Sequence, residues 1–175
     1  MKNTHFLKVA IFTSAIIGCV DSQPHGGVMS SQAVQTAKTN LAWAKTLSEG
    51  NEGQAISILQ PMASHGDAEA QRWLGIIYES GGSVEIDMAQ SLMWFRMAAN
   101  HGDAVAQVVL GADYLHGKGV PQNNTLAYMW FDLAASQGDI TGIEERDALA
   151  KHLAPAQIAE ARRLAGEKVF APGKP

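Results

Sequence analysis

Cysteine is nearly absent from this chain of 175 residues, and no stretch of it is rich in basic residues. The single cysteine, Cys19, has no second cysteine with which to form a disulfide bond, so side-chain packing has to stabilise the fold. Lys and Arg number 13 against 17 Asp and Glu, which gives a net charge of −4. Because nucleic-acid binding depends on clustered basic side chains, a nucleic-acid partner is not expected.

The motifs of common catalytic and metal sites are also missing. The sequence has no Gly-x-Ser-x-Gly elbow, phosphate-binding loop, His-Glu-x-x-His or paired-cysteine motif. His65 and His101 each precede a glycine, where we expect the side chain to interact with free carbonyls at the end of a helix. We therefore predict that the protein has no catalytic residue, no bound metal and no small-molecule cofactor.

Only the N-terminus carries an apolar run typical of targeting. Lys2 and Lys8 precede an apolar run over 9–18, which is typical of an export signal and too short to span a bilayer. The run ends in Ile-Ile-Gly-Cys, which resembles the bacterial lipobox and implies a lipoprotein signal peptide over 1–18 with lipidation of Cys19. Residues 19–30 are then a flexible tether. The alternative is an ordinary signal peptide in which Cys19 is only a small apolar residue.

An internal repeat of 36 residues dominates the rest of the sequence, because 67–102 aligns with 103–138 without a gap. In each unit we predict two helices, the first capped by Asp67 or Asp103 and the second ending at Gly102 or Gly138. The repeated residues are Asp67, Ala68, Ala70, Gln71, Leu74, Gly75, Tyr78, Met93, Trp94, Phe95, Ala98, Ala99 and Gly102, which recur as Asp103, Ala104, Ala106, Gln107, Leu110, Gly111, Tyr114, Met129, Trp130, Phe131, Ala134, Ala135 and Gly138.

The repeated glycines inside the first helices predict a close contact between helices. Gly75 and Gly111 each lower helix stability by about 1 kcal/mol relative to Ala, and a tight approach of the second helix, with its small Ala98 and Ala99, would offset that cost. Most aromatic residues recur at the repeat period and are assigned to the core. Ala70, Leu74 and Tyr78 form the predicted apolar stripe of the first helix. Trp73 lies off this stripe and does not recur, so we expect it to face a groove or a solvent-exposed wall.

The motif Ala-x-Ala-Gln-x-x-Leu-Gly-x-x-Tyr, followed by Gly-Lys-Gly-Val-Pro-Gln and Ala-x-x-Trp-Phe-x-x-Ala-Ala-x-x-Gly, is similar to the Sel-one-like repeat (SLR) family, which is related to tetratricopeptide repeats. The first unit differs, because Gly81-Gly82-Ser83-Val84 predicts another turn between its helices. The resemblance implies an all-α, right-handed α-solenoid of about four helix-turn-helix pairs over 31–170. Full repeats occupy 67–102 and 103–138, and capping helices occupy 31–66 and 139–170.

The resemblance also implies a function, since SLR proteins commonly act as adaptors. We expect a lipid-anchored scaffold of the bacterial cell envelope that faces the periplasm, with the outer membrane favoured, and that binds another protein or a peptide segment. Non-repeating positions of the first helices are the predicted contact residues: Glu69, Arg72, Trp73, Ile76, Glu79, Val105, Val108, Ala112 and Asp113. The alternatives are an envelope hydrolase, for example one similar to a β-lactamase, and a structural envelope component without a specific partner.

Overall fold

The computed structural model of the protein describes residues 46, 47 and 49–170. Thr46 and Leu47 are helical, and seven complete helices follow in this part of the chain, which contains no strand. The helices are α1 (Glu52–Ser64), α2 (Ala68–Ser80), α3 (Met88–Asn100), α4 (Ala104–His116), α5 (Asn124–Ser136), α6 (Ile140–Ala150) and α7 (Pro155–Phe170). Each helix from α1 to α5 packs against the next one along the chain, and α7 packs on α5, which confirms the predicted all-α helical-repeat solenoid. The predicted signal peptide, Cys19 and the tether lie outside the described residues.

Each first helix begins at an aspartate whose side chain satisfies a free backbone N–H. Asp67, Asp103 and Asp139 accept hydrogen bonds from the third residue beyond them at 2.9, 2.8 and 2.7 Å. The preceding glycine has positive φ in every case (Gly66 89°, Gly102 92°, Gly138 85°), which turns the chain out of one helix and into the next cap. The capping pattern therefore continues beyond the two repeats into the pair formed by α6 and α7.

The predicted close contact at the helical glycines is present, but an aromatic ring fills it rather than Ala98 or Ala99. A β-carbon at Gly75 would lie 3.0 Å from ring carbons of Phe95, and one at Gly111 would lie 2.4 Å from Phe131. Both phenylalanines are almost fully buried. The glycine thus lets the ring of the second helix lie directly on the backbone of the first.

One buried glutamine in each repeat connects that repeat to the helix before it. The amide nitrogen of Gln71 donates to the carbonyl of Ala63 at 2.8 Å, and that of Gln107 donates to the carbonyl of Ala99 at 3.1 Å. These carbonyls lie in the last turns of α1 and α3, where helical partners run out. The glutamine recurs because it satisfies the same polar group at both of these junctions.

The residues before Gly102 and Gly138 complete this polar network. His101 donates from Nδ1 to the side-chain oxygen of Gln71 at 2.7 Å, and Gln137 donates to that of Gln107 at 2.8 Å. The hydrogen bond of the His101 side chain is thus made to the glutamine side chain of its own repeat unit and not to a helix-end carbonyl. His65 does contact a backbone carbonyl of its own helix, as predicted, at 2.7 Å.

The loops inside the two repeats have different turns, as the sequence predicts. Gly81 ends α2 with ψ −126°, whereas Gly117 ends α4 in the left-handed conformation with ψ 31°. The first loop is held by Glu52, whose carboxylate accepts hydrogen bonds from the N–H (2.8 Å) and hydroxyl (2.6 Å) of Ser83. Although partial burial raises the pKa of Glu52, these hydrogen bonds outweigh it and hold that pKa below its ordinary value.

The last helix covers the end of the array. Ala161 and Ala165 of α7 are buried in the same core as Trp130, and the ammonium of Lys168 lies 4.5 Å from the centre of the Trp130 ring. Trp94 and Trp130 are 8% and 4% exposed, so both repeated tryptophans belong to the core as predicted. In the part of the chain that the structure describes, no helix has the length and apolar character needed to cross a bilayer.

Candidate functional site

The nine predicted contact residues all lie on α2 and α4, the first helices of the two repeats. Their exposure differs more than the sequence predicts. Glu69 and Val105 are exposed, and Trp73 is buried. The other six are partly buried: Arg72, Ile76, Glu79, Val108, Ala112 and Asp113.

Trp73 does not face solvent, so the expectation of an exposed wall there was wrong. Its side chain is 9% exposed and packs in the core with Leu59 of α1 and Leu74. The indole N–H donates to the Glu69 carboxylate at 3.4 Å. The reason is that α2 packs against α1 as well as α3, and therefore buries a second stripe beside the Leu74 stripe.

Arg72 holds two first helices together. Its Nε donates to Oδ2 of Asp103 at 2.9 Å, and its guanidinium also lies 3.4 Å from the Glu69 carboxylate and 5.2 Å from the centre of the Trp73 ring. Only 12% of the Arg72 side chain is exposed. Because Asp103 also caps α4 through its other oxygen, the Arg72–Asp103 ion pair fixes the start of α4 against α2.

A small pocket, here called the Asp113 pocket, lies where the end of α2, the first half of α3 and the second half of α4 meet. Its volume is about 10 Å³, roughly what one water molecule requires. It is therefore far too small for a cofactor or another small molecule. The lining residues are Glu79, Met88, Ser91, Leu92, Phe95, Val109, Asp113, Lys118 and Gly119.

Three charged side chains and one hydroxyl supply the polarity of the Asp113 pocket. Lys118, from the loop after α4, donates to the Glu79 carboxylate. The Asp113 carboxylate makes no hydrogen bond or ion pair with residues in the described part of the chain, and Ser91 is only 2% exposed. Burial raises the pKa of Asp113 to about 6, although the positive charge of Lys118 opposes this shift.

Comparison between units shows how the Asp113 pocket arises. Asp113 occupies the position that Ile77 holds one repeat earlier and Leu149 one unit later, and both of those side chains are buried. A shorter, polar side chain therefore replaces a core aliphatic one, which leaves room for the opening. The other polar lining residues are likewise replaced by nonpolar residues in the other repeat. Glu79 corresponds to Leu115, Ser91 to Ala127 and Lys118 to Gly82.

Glu79 and Asp113 were predicted separately as contact residues, and the pocket that joins them was not predicted. Ser91 and Lys118 were not predicted at all. The available signal was the change from isoleucine at 77 to aspartate at the equivalent position 113. Within 46–47 and 49–170, no group of three or more His, Cys, Asp or Glu side chains could hold a metal ion.

Residues 68–103 and 104–139 each match the family model described as the Sel1 repeat. The chain carries two Sel1 repeats. Proteins with Sel1 repeats generally act as protein-interaction scaffolds, and their fold is typically non-catalytic. Among curated proteins, none matches this chain.

Two solved structures support the Sel1-repeat fold. A protective antigen present in uropathogenic Escherichia coli strains, which displays an SLR fold, is 31% identical with a TM-score of 0.69, and the match covers 78% of this chain and 30% of the antigen. A Sel1 repeat protein from Oxalobacter formigenes is 25% identical with a TM-score of 0.59, and the match covers 75% of this chain and 58% of that protein. The chain therefore spans less than a third of the first structure's length and somewhat over half of the second's.

Proposed function

We propose that this Sel1-repeat protein is a membrane-anchored, non-catalytic scaffold of the bacterial cell envelope that binds a segment of another protein along α2 and α4. The observation that supports this proposal is a difference in burial between repeated positions and non-repeated positions of the first helices. Most residues that repeat, such as Leu74 and Leu110, are buried, whereas one face of the first helices carries accessible residues that differ between repeats, such as Glu69 and Val105. The repeated residues build the framework, and the differing residues are free to recognise a partner.

The accessible part of the first helices suits a peptide segment. Val105 is 38% exposed, and Ile76, Val108 and Ala112 add partly exposed apolar surface beside the charged Glu69. An extended or helical segment buries such a mixed strip over several residues, which gives affinity without a deep cavity. Arg72 and Trp73 are largely buried and hold the helices that carry this strip in place. We therefore expect substitutions of Arg72 or Trp73 to affect binding by changing the shape of the strip.

The proposed anchor is the lipidated Cys19. Each buried methylene of an acyl chain contributes about 0.8 kcal/mol, so several chains on one cysteine would hold the protein at a membrane almost permanently. Anchoring at the periplasmic side, with the outer membrane favoured, would place the scaffold beside other envelope proteins. The support for this part of the proposal is the sequence motif at 16–19.

Site-specific photo-crosslinking tests the binding face. A photoreactive amino acid is placed at Val105 on a first helix or, as a matched control, at Met93 on a second helix, since both are apolar side chains with similar exposure (38% and 42%). We expect a discrete adduct with another protein from position 105 and none from position 93. Adducts from position 93 alone, equal adducts from both, or no adduct from either would contradict the proposed face.

Metabolic labelling tests the anchor independently of the binding face. The wild-type protein, expressed in a bacterial host, should incorporate labelled palmitate and sediment with membranes. Cys19→Ala should lose the label and appear in the soluble fraction. Equal labelling of the two proteins, or a wild type that never sediments with membranes, would contradict the lipid anchor and leave the binding face to be judged by crosslinking.

A further inference from the structure

We propose that the protein segment bound along α2 and α4 also crosses α6, with an aliphatic side chain packed on Val105 and Val108 and a lysine or arginine beside Glu144. This inference rests on the proposed function and adds a chemical requirement for the partner. Three features support it: the accessible strip continues onto α6, its apolar centre lies on α4, and the carboxylate at its α6 end has no partner among the described residues.

The accessible strip of the first helices continues onto α6. A shift of 36 residues places Val105 on Thr141 and Val108 on Glu144. Thr141 and Glu144 are both exposed. Because α6 contacts α4 and begins at the same kind of aspartate cap, its exposed side extends the wall that α2 and α4 form.

The accessible side of α4 carries valines where α2 carries charged residues. Glu69 and Arg72 occupy the positions equivalent to Val105 and Val108, and both are better helix formers than valine. Val105 is 38% exposed, so packing within the chain removes only part of its apolar surface from water. An aliphatic side chain of a partner would bury the remainder.

Charge distinguishes the α6 end of the strip from the α2 end. On α2 the charged side chains bind each other, because Arg72 contacts the carboxylates of Glu69 and Asp103. On α6, Glu144 makes no ion pair or hydrogen bond with a described residue, and the nearby Arg146 is already paired with carboxylates of α5 and α6. A basic side chain of the partner is therefore favoured beside Glu144, and an acidic one is disfavoured.

The spacing of the helices sets the distance between these two contacts. Val108 and Glu144 occupy equivalent positions on neighbouring helices, and the axes of packed helices lie roughly 8–10 Å apart. An extended segment advances about 3.3 Å per residue, so it crosses this distance in about three residues. The aliphatic and the basic residue of the partner should therefore lie about three positions apart.

Selection from a phage-displayed library of linear peptides tests the inference. The purified full chain is used as the wild type and as four variants. Glu144→Lys reverses the charge on α6, and Val105→Glu installs the residue found at the equivalent Glu69. Glu85→Lys and Met93→Glu are the matched controls, because both positions are exposed and lie outside the first helices. Thermal melting of each variant confirms that it is folded.

We expect the wild type and both controls to enrich peptides with Lys or Arg about three positions from an aliphatic residue. Glu144→Lys should lose the basic preference, and Val105→Glu should lose the aliphatic one. For the best wild-type peptide, changing its basic residue to Glu should weaken binding to the wild type about fivefold and strengthen binding to Glu144→Lys. Val105→Glu should weaken binding of the unchanged peptide about tenfold.

The possible failures separate this inference from the proposed function. Enriched peptides without a fixed basic residue, or a basic preference that survives in Glu144→Lys or is lost equally in Glu85→Lys, would overturn the inference and leave the scaffold function standing. Enrichment of no peptide at all would also overturn it, and the scaffold function would then be judged by the crosslinks from position 105.

Discussion

Replacing Gly111 with alanine tests the helix contact on which the Sel1-repeat packing depends. The new β-carbon would lie 2.4 Å from the ring of Phe131, whereas carbon atoms in contact prefer about 3.5–4.0 Å. The ring, its helix or both must therefore move by about 1 Å. Phe131 is fully buried, so it has no open space into which it can rotate.

Two opposing effects determine how much alanine changes the free energy of unfolding. Alanine improves helix propensity by about 1 kcal/mol, and overpacking a well-filled core costs about 1–3 kcal/mol. For Gly111 the larger displacement places the cost near the upper end, so we expect a net loss of about 1–2 kcal/mol. At Gly75 the same β-carbon would lie 3.0 Å from Phe95, which requires only about half the movement. There the two effects should nearly cancel, to within about 0.5 kcal/mol.

Gly166 is the matched control, because it lies within α7 and a β-carbon there would meet no atom within 4 Å. Gly166→Ala should increase the free energy of unfolding by up to about 1 kcal/mol. Urea unfolding and thermal melting of the three variants should give the order Gly166→Ala, Gly75→Ala, Gly111→Ala from most to least stable. At roughly 4 °C per kcal/mol, Gly111→Ala should melt about 4–8 °C below the wild type. A Gly111→Ala protein as stable as Gly166→Ala would refute the proposed packing.

Three further changes probe other parts of the structure. Gly142→Ala should reduce the free energy of unfolding by about 2 kcal/mol in urea, because its β-carbon would lie 2.9 Å from the backbone nitrogen of Ala135, which cannot rotate away. The pKa of Asp113 is raised to about 6, so wild-type stability should fall as pH rises from about 4 to 6. In thermal melting, Asp113→Asn should be about 1 kcal/mol more stable than the wild type at pH 7 and as stable as the wild type at pH 3. The pKa of Glu52 is lowered, so its contribution to stability is lost as pH falls, and Ser83→Ala should lose about 0.5 kcal/mol more at pH 7 than at pH 2 in urea titrations.

The repeat made the fold predictable from the sequence. A residue such as Asp67 can have several local roles, but its recurrence 36 residues later beside the same glycine fits only a helix cap in a repeated unit. The internal alignment therefore predicted the helices, their order and the buried tryptophans. It could not predict which group lies on Gly75, because Phe95, Ala98 and Ala99 all recur together and the alignment contains no distance.

Trp73 shows where periodicity alone is insufficient. The stripe of Leu74 and Tyr78 describes the contact of α2 with one neighbour, but a helix in the middle of a solenoid has neighbours on two sides. The stripe for the second neighbour differs between repeats, with Trp73 in the first and Val109 in the second, and was therefore assigned to the surface. Non-repeating residues can thus be core residues when the adjacent helices also differ, as α1 differs from α3.

Asp113 is a non-repeating residue at a position where both neighbouring units have a core residue. Leucine or isoleucine at 113 would extend the buried stripe formed by Ile77 and Leu149, and its side chain would need no polar partner. The aspartate lowers stability at neutral pH, as its raised pKa indicates, because deprotonation is less favourable in the folded chain than in the unfolded one. The carboxylate is tolerated at this position because it borders an opening to solvent and because the positive charge of Lys118 partly offsets the cost of its burial.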